Sequence, residues 1–429
     1  MRIKIANLNA GERVTFRLHL IYSFVEGIIM GVLAMNEFVL IKSLQGSNYQ
    51  IGILFQLSVV LLVLSIVFNE WIKRTNNKVL LIRLVGVITR LPLLVFLFFP
   101  RSIAAINDAP EFQIIFLFIF LGFYLSNPVL FPTINLFLKK NYRHENFGPL
   151  YAYSATLNKI VMLVSTFAFG WLLDRDPYCF TYVYPTLAIL GMFSIALFTR
   201  IPFTPSEVVV KTGIMESLKN SVSNIWKIII GDKPYRDFEI GFMLYGFAWM
   251  TTIAVITIFF EKALHLNYSS VAFYKTSYNL IAILILPFFG RLINRIDPRK
   301  FGVLTFASLL LYLFFLALTE YFPQNVEVFG IKIYFMLIPA FLSHAVFAAT
   351  MSLLWFIGSA YFSKDDNAAN YQSVHLTLTG VRGLFAPLLG VFIFEALGFS
   401  WTFGIAIISL ALAIVLMFWS MKNRAISSN

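Results

Sequence analysis

The residues of this sequence that could carry chemistry are the charged side chains that interrupt its long apolar segments. These segments hold two acids and four cations: Glu26, Glu37, Arg90, Lys159, Lys275 and Arg382. A charge inside a bilayer costs at least about 2.5–3.5 kcal/mol, so each one needs a partner or a function. Cations outnumber acids, which favours an anionic solute, since arginine binds carboxylates and phosphates through paired hydrogen bonds. Alternatively, each cation pairs with an acid nearby or extends to the membrane interface.

The two acids are the candidate proton carriers. Glu26 and Glu37 are eleven residues apart, which places them on one face of a continuous helix, about 16 Å apart along its axis. A buried carboxylate carries a proton when a neighbouring cation or the substrate changes its charge state. The alternatives are an ion pair between Glu26 and Arg90 and, for Glu37, an interfacial position in contact with water.

Aromatic side chains and histidines offer further candidate sites. Tyr245 and Trp249 share one apolar segment, and such aromatic platforms suit sugars, although helix packing is the alternative. His344 and His375 could titrate near neutral pH or act as hydrogen-bonded packing residues. No histidines have metal-ligand spacing, and Cys179 is the single cysteine, so neither a metal nor a cofactor is expected.

The composition requires a membrane environment. Of 429 residues, 59% are hydrophobic and 13% are charged, whereas soluble proteins have roughly 45–50% and about 25%. The apolar residues suffice for about twelve helices of about 20 residues each. A soluble globule would expose too much apolar surface, and a β-barrel would alternate apolar and polar residues. No phosphate-binding loop of a nucleotide motor is present. The sequence predicts an all-α integral membrane protein.

Twelve apolar segments are predicted to span the membrane. Their bounds are 17–42, 50–70, 79–100, 112–136, 149–173, 177–199, 238–261, 268–291, 299–320, 331–357, 371–396 and 399–421. Lys and Arg are concentrated in alternate loops, in both tails and in the segment after the sixth span, which places these regions in the cytoplasm. The net charge of +12 therefore reflects topology and the lipid surface, and no nucleic acid is expected as a partner.

A polar segment divides the chain into two halves. Residues 201–236 carry apolar residues at helical spacing, which predicts an amphipathic helix on the cytoplasmic membrane surface. This linker separates six-span domains at 1–200 and 237–429. The halves match at an offset of 219–220 residues, as in the pairs Arg17/Arg236, Gly27/Gly246, Tyr151/Tyr371 and Gly170/Gly390. A parallel repeat of this kind places a binding site near the membrane midplane, between its halves.

The loop from Gly290 to Lys300 (GRLINRIDPRK) resembles the G-x-L-a-D-R-x-G-R-K loop of the major facilitator superfamily. In that pattern Asn294 stands in place of the acid, and the first-half copy, 69–78, has Lys73 there. The resemblance implies a cytoplasmic gate. Its residues in this sequence are Arg74, Lys78, Gly290, Asn294, Arg295 and Arg299.

The resemblance extends over nearly the whole chain and implies twelve transmembrane helices in two pseudo-symmetric six-helix bundles, which work by alternating access. It places the fifth and eleventh spans beside a central cavity. The candidate substrate ligands there are Lys159, Arg382, Lys275, Tyr245 and Trp249. The expected function is proton-coupled symport of a small organic anion by a monomer in the inner membrane. A sugar or a drug is the alternative substrate, and an integral-membrane transferase, which the scattered histidines disfavour, is the alternative class.

Overall fold

The computed structural model describes residues 8–203, 214–293, 295–362 and 368–424. The chain divides into two compact units, Met1–Gly46 with Leu64–Ile214 and Ser47–Val63 with Met215–Asn429. Residues 47–63, which include the N-terminal part of the long helix Asn48–Arg74, therefore group with the second unit. The predicted domain boundaries at 200 and 237 do not include this grouping. Those boundaries stay a prediction.

The first unit is built from α-helices joined by short connections. They are α1 (Ala10–Leu33), α2 (Asn36–Phe38), the C-terminal part of α3 (Asn48–Arg74), α4 (Lys78–Ile88), α5 (Ile103–Asn107), α6 (Glu111–Tyr124), α7 (Asn127–Asn141), α8 (His144–Arg175) and α9 (Phe180–Phe198). A π-helical turn at Val39–Ser43 extends α2, and a 3-10 helix at Leu91–Phe98 follows α4.

The second unit begins with the N-terminal part of α3 and continues with the remaining elements. They are α10 (Ile214–Gly231), α11 (Lys233–Lys262), α12 (Tyr268–Ile293), α13 (Pro298–Tyr321), β1 (Asn325–Val328), β2 (Ile331–Tyr334), α14 (Leu337–Ile357), α15 (Ala368–Gly383) and α16 (Ala386–Asn423). A short 3-10 helix, Ser359–Phe362, follows α14. Helix α10 lies within the predicted amphipathic linker.

Among the described residues, ten helical segments are long and apolar enough to cross a membrane. One of them, Tyr371–Asn423, is 53 residues long and contains a non-helical residue, Gly398, with a φ of 84°. This segment accounts for the predicted eleventh and twelfth spans. The predicted second span, 50–70, corresponds to α3, which is 27 residues long and whose sequence is mostly apolar from Ile51 to Phe68. The all-α membrane architecture is confirmed, and these helices are consistent with twelve spans.

Prolines mark the points where several spans break. The 3-10 helix after α4 has Pro92 in its first turn, α7 begins at Asn127-Pro128, and α16 begins at Ala386-Pro387. Proline lacks a backbone donor and is tolerated in a first turn, where that donor has no helical partner. The predicted spans 112–136 and 371–396 therefore each consist of two helices.

The first span is not the continuous helix that the sequence predicts. Helix α1 ends at Leu33, and α2 begins only at Asn36. Wider backbone hydrogen bonds follow, as in Leu44 N to the carbonyl oxygen of Val39, at 3.0 Å. The calculation that places Glu26 and Glu37 on one face assumes regular rotation through residues 33–36, so it does not hold. Neither glycine nor proline marks this break in the sequence.

A β-hairpin replaces the predicted start of the tenth span. Strands β1 and β2 are antiparallel, with Val328 opposite Ile331. The two turn residues, Phe329 and Gly330, have positive φ angles of 50° and 75°, as a type I′ hairpin turn requires. The prediction of a helix from 331 was wrong because VEVFGIKI, at 326–333, alternates β-branched and polar residues on either side of the turn, a strand pattern.

Small residues bring α1 and α8 into close contact. A β-carbon at Gly27 would lie 2.7 Å from the carbonyl oxygen of Asn158, and one at Gly31 would lie 2.7 Å from the β-carbon of Ser165. Both distances are too short for any larger residue. Such a G-x-x-x-G face lets helix backbones approach within a membrane, where small residues are favoured at interfaces.

A buried carboxylate joins the beginnings of the same two helices. Glu12 is part of a capping box with Asn9 at the start of α1. Its carboxylate also accepts hydrogen bonds from the Arg143 backbone N–H at 3.0 Å and from the Asn146 side chain at 3.0 Å. The Arg143 guanidinium adds an ion pair at 3.1 Å. These bonds satisfy Glu12 and hold the first turns of α1 and α8 together.

Cys179 and the hairpin permit a test of membrane sidedness. Cys179 lies in the connection between α8 and α9, where burial, with a smaller contribution from the charge of Asp176, raises the pKa of its thiol to about 12. Its reaction with a maleimide at about pH 8 should be roughly a thousandfold slower than that of an ordinary cysteine, because the thiolate is the reactive form. A Phe329→Cys variant, at a fully exposed position, should react with a membrane-impermeant maleimide in intact cells.

The matched variant is Lys422→Cys, at an exposed position in the last turn of α16. It should react only after the membrane is permeabilised, since the positive-inside rule places this end in the cytoplasm. Mass spectrometry of the labelled protein measures both rates. Labelling of Lys422→Cys in intact cells would overturn the predicted orientation, and fast labelling of the wild-type protein would contradict the burial of Cys179.

Candidate functional site

Arg382 is buried at the end of α15, in the second unit, and is 2% exposed. A β-carbon at Gly246 of α11 would overlap its guanidinium, so glycine at 246 is what admits the arginine between the helices. Its Nη1 donates a hydrogen bond to the carbonyl oxygen of Phe242, and its Cζ lies 5.6 Å from the centre of the Tyr245 ring. Among the described residues, none accepts a hydrogen bond from its Nε.

Tyr245 and Trp249 belong to an aromatic cluster beside Arg382. Tyr245 stacks on Phe306 with ring centres 5.3 Å apart and lies 5.8 Å from Phe347. Trp249 lies 5.5 Å from the same Phe347. The structure therefore brings together three of the five predicted substrate ligands, Arg382, Tyr245 and Trp249, within the second unit.

The cluster continues through a buried histidine. His344 is stacked between Tyr278, at 4.1 Å, and Tyr312, at 4.3 Å, and the ring of Trp249 lies 5.6 Å away. Its Nδ1 has no hydrogen-bond partner among the described residues. Tyr312 was absent from the sequence-based candidates because nothing distinguishes it from the other aromatics of its apolar segment.

A second buried polar pair lies two helical turns from Arg382. His375 of α15 is 1% exposed and Glu239 of α11 is 2% exposed, and His375 Nδ1 lies 3.1 and 3.2 Å from the two carboxylate oxygens of Glu239. The rings of Phe242 and Trp355 meet the imidazole edge-on, each at 4.7 Å.

Sequence reasoning missed Glu239 because it lies at the second residue of the predicted seventh span, where an acid is easily taken as interfacial. The available signal was spacing. Glu239 precedes Gly246 by seven residues, and His375 precedes Arg382 by seven. Seven residues are about two helical turns and 10.5 Å of rise. Helices α11 and α15 therefore contact each other twice at the same spacing, through Glu239 with His375 and through Gly246 with Arg382.

The two lysines of the predicted site have different environments. Lys275 is half-buried in α12 of the second unit, where its carbonyl oxygen accepts a hydrogen bond from Asn279 Nδ2 at 2.8 Å. Lys159 is exposed on α8 of the first unit, adjacent in sequence to Asn158, whose carbonyl oxygen faces Gly27. Both remain predicted ligands.

Glu26 forms an ion pair with Arg90 in the first unit. Their closest atoms, Glu26 Oε2 and Arg90 Nη2, are 3.6 Å apart, and Arg90 is 1% exposed. Gly191 of α9 admits the arginine, since a β-carbon there would lie 2.6 Å from Arg90 Nε. The guanidinium also lies 5.7 Å from the Phe123 ring centre. These contacts agree with the alternative in which Glu26 forms a structural ion pair with Arg90.

Glu37 is buried in the short helix α2. Its neighbour Asn36 accepts a hydrogen bond from the Tyr184 hydroxyl at 2.9 Å, and Tyr124 interacts with both Asn36 and the charge of Glu37. Because α1 ends at Leu33, Glu37 and Glu26 belong to separate helical segments. Proton carriage by Glu26 or Glu37 stays a prediction, without the shared helix face expected for the two acids.

Lys78, one of the predicted gate residues, stabilises the end of a helix. Lys78 Nζ donates to the carbonyl oxygens of Ile72, at 3.1 Å, and Thr75, at 2.9 Å, so it caps the C-terminus of α3, where a cation is favourable. The remaining gate residues of the described chain are a half-buried Arg74 in the last turn of α3, a partly buried Gly290 in α12 and an exposed Arg295 after it. Asn294 lies outside the described residues.

Arg299 is the centre of a polar network at one end of the second unit. It binds both carboxylate oxygens of Asp297, through Nε at 3.1 Å and Nη2 at 2.8 Å. Its Nη1 donates to the Ser420 hydroxyl at 3.0 Å and to the Arg424 carbonyl oxygen at 2.7 Å. Asp237 completes the network through Ser420, at 2.9 Å, and Arg424, at 2.6 Å. The network joins the starts of α11 and α13 to the end of α16.

The described residues contain no group of three or more His, Cys, Asp or Glu side chains that could hold a metal ion. The arrangement places the charged donor Arg382 beside stacked aromatic rings and a hydrogen-bonded pair, Glu239 and His375, on the same two helices.

Comparison with known proteins identifies the family. The sequence matches the family model described as Major Facilitator Superfamily over residues 16–371 and again over 240–428. A search of curated protein sequences found no significant match.

Solved structures with the same fold include several transporters. A mutant of the nucleoside transporter NupG has a TM-score of 0.71 at 13% identity, covering 96% of this chain and 100% of that chain. A bacterial homolog of the human lysosomal transporter Spinster has 0.64 at 14%, covering 98% and 100%. The xylose transporter XylE from E. coli has 0.63 at 11%, covering 98% and 99%. With its multi-pass helices and a family match over most of its length, the chain belongs to the major facilitator superfamily of membrane transporters.

Proposed function

We propose that this protein is a secondary active transporter that moves a small organic anion across the membrane by alternating access, coupled to protons. The observation that carries the proposal is Arg382, a buried guanidinium whose Nε has no acceptor among the described residues. A buried guanidinium donor without an acceptor is costly, and a carboxylate on the Nε edge would satisfy it through charge-assisted hydrogen bonds.

The aromatic cluster indicates what else the anion carries. Tyr245 lies beside the guanidinium, and Trp249 and His344 continue the aromatic surface. Rings of this kind bind other rings and the apolar faces of sugars. An aromatic carboxylate or a sugar acid therefore fits the site better than a small aliphatic anion.

A neutral sugar or a nucleoside is the second candidate substrate. The stack of Tyr278, His344 and Tyr312 favours it, because this part of the cluster contains no cation. The names of similar structures, a nucleoside transporter and a xylose transporter, agree with this class, although identities of 11–13% extend only to the fold. The protein is further proposed to act as a monomer in the inner membrane with both termini in the cytoplasm.

Paired ligands distinguish the two substrate classes. Benzoate and glucuronate should raise the melting temperature of the purified protein in detergent, whereas the matched neutral compounds benzamide and glucose should not. A ligand that binds only the folded protein stabilises it by about 2.7 kcal/mol at a hundredfold excess over Kd. Arg382→Gln should abolish the shift because it removes the charged donor.

The control is Arg200→Gln, which changes an exposed arginine of the first unit and should keep the shift. Lys159→Gln tests the other predicted cation in the same assay, where a weaker shift would retain Lys159 as a ligand. Equal shifts from each acid and its neutral partner, or an undiminished shift in Arg382→Gln, would exclude Arg382 as the anion site. Stabilisation by glucose or uridine alone would establish the second candidate.

We also propose that Glu26 neutralises Arg90 and does not carry the coupled proton. Breaking a buried ion pair costs about 3–5 kcal/mol, whereas replacing both partners is close to neutral. Glu26→Gln should therefore lower the melting temperature, and Glu26→Leu with Arg90→Met, which leaves no polar partner unpaired, should recover most of the loss. If Glu26→Gln keeps its stability and loses uptake driven by a pH gradient while sparing exchange, Glu26 is the proton carrier.

A further inference from the structure

We propose that His375 and Glu239 form a proton-binding site, and that protonation of His375 withdraws Glu239 from the charge balance of Arg382, so that Arg382 then binds the anion. The inference rests on the proposed anion-binding role of Arg382. It assigns the coupled proton to the second unit, to residues other than Glu26 and Glu37.

His375 Nδ1 lies 3.1 Å from a carboxylate oxygen of Glu239. The proposal takes Glu239 as ionised, so its oxygens only accept and His375 Nδ1 carries the hydrogen. In the neutral imidazole the other nitrogen, Nε2, then holds a lone pair. Nε2 has no hydrogen-bond partner among the described residues. An incoming proton is therefore accepted at Nε2, and His375 becomes a cation in contact with Glu239.

Glu239 and Arg382 are two charges of one buried group. The Arg382 guanidinium donates to the carbonyl oxygen of Phe242, which lies about one helical turn from Glu239 on α11, so the two charges interact at low dielectric. With His375 neutral, the negative charge of Glu239 offsets the positive charge of Arg382, and the group has no net charge. With His375 protonated, the same group has one positive charge. Since net charge is expensive at low dielectric, an anion of charge −1 binds best to the protonated form and restores neutrality.

Other titratable groups near His375 do not replace it in this role. On the packed elements these are Tyr235, which interacts with Glu239 itself, Tyr245, Tyr371 and Tyr361, with Asp232, Arg236 and Asp237 at the start of α11. The Tyr235 hydroxyl donates to the Tyr371 carbonyl oxygen at 2.7 Å, and the Tyr371 hydroxyl donates to Asp232 at 2.9 Å. Asp232 also accepts the backbone N–H of Tyr235 as the helix cap. Tyrosine hydroxyls stay protonated near neutral pH, so of these groups the proposed proton acceptor is the open Nε2 of His375.

The two substitutions that break the pair have opposite expected effects. His375→Asn leaves Glu239 to offset Arg382 at every pH, so the anion should bind weakly throughout. Glu239→Gln removes that negative charge at every pH, so the anion should bind tightly throughout. If the pair only packs α11 against α15, both substitutions should change the affinity for the anion in the same direction.

The experiment measures the Kd of benzoate and of glucuronate from about pH 5.5 to about pH 8, where both stay ionised. If one proton binds with each anion, the wild-type affinity should fall about tenfold per pH unit over part of this range. His375→Asn should bind at least about tenfold more weakly than the wild type at the acidic end, and Glu239→Gln at least about tenfold more tightly at the basic end. Arg200→Gln, at an exposed position of the first unit, is the control and should keep the wild-type slope.

The outcomes separate this inference from the proposed function. A wild-type affinity that does not change with pH, a slope that persists in His375→Asn, or losses of the same sign in both variants would overturn the proton site and leave Arg382 as the anion ligand. Undiminished binding in Arg382→Gln, or no binding of either carboxylate, would overturn both. Should His375→Asn not fold, the wild-type slope and Glu239→Gln still decide the question.

Discussion

The charge of Arg382, held away from water between α11 and α15, is the constraint on which the rest of the second unit depends. Gly246 must lack a side chain for the guanidinium to fit. Phe242 supplies one carbonyl acceptor and Tyr245 an aromatic face. These contacts leave Nε without an acceptor among the described residues, and the proposed anion would supply one.

The first unit also contains a buried arginine admitted by a glycine, but this arginine has a different partner. Gly191 admits Arg90 as Gly246 admits Arg382, but Arg90 has an acid, Glu26, at 3.6 Å. In the second unit the nearby acid, Glu239, is hydrogen-bonded to a histidine. One buried arginine therefore has a direct counter-charge, whereas the acid near the other is hydrogen-bonded to a histidine. Because Nε lacks an acceptor among the described residues in both arginines, the counter-charge is the physical basis for proposing structure for the first pair and binding for the second.

The sequence alone predicted the membrane-spanning helices and singled out Arg382, but it did not predict Glu239, the break in the first span or the β-hairpin. Apolar length and charge distribution identified the spans, and the rarity of intramembrane charge identified Arg382, because both signals are strong and local. Glu239 was missed because its meaning depends on the residue opposite it on another helix. The break before Asn36 has no glycine or proline to mark it, and the hairpin at 326–333 was hidden by its place beside an apolar run. Hydrogen-bond partners on different helices depend on how the helices pack, and a short stretch of sequence does not predict that packing.

The central claim is that Arg382 binds the carboxylate of the transported anion. It is tested most directly by determining the structure of the protein with saturating benzoate or glucuronate at acidic pH. The account predicts a carboxylate oxygen within about 3 Å of Arg382 Nε, with the rest of the ligand against Tyr245 and Trp249. A ligand bound elsewhere, with Arg382 Nε still without an acceptor, would contradict it.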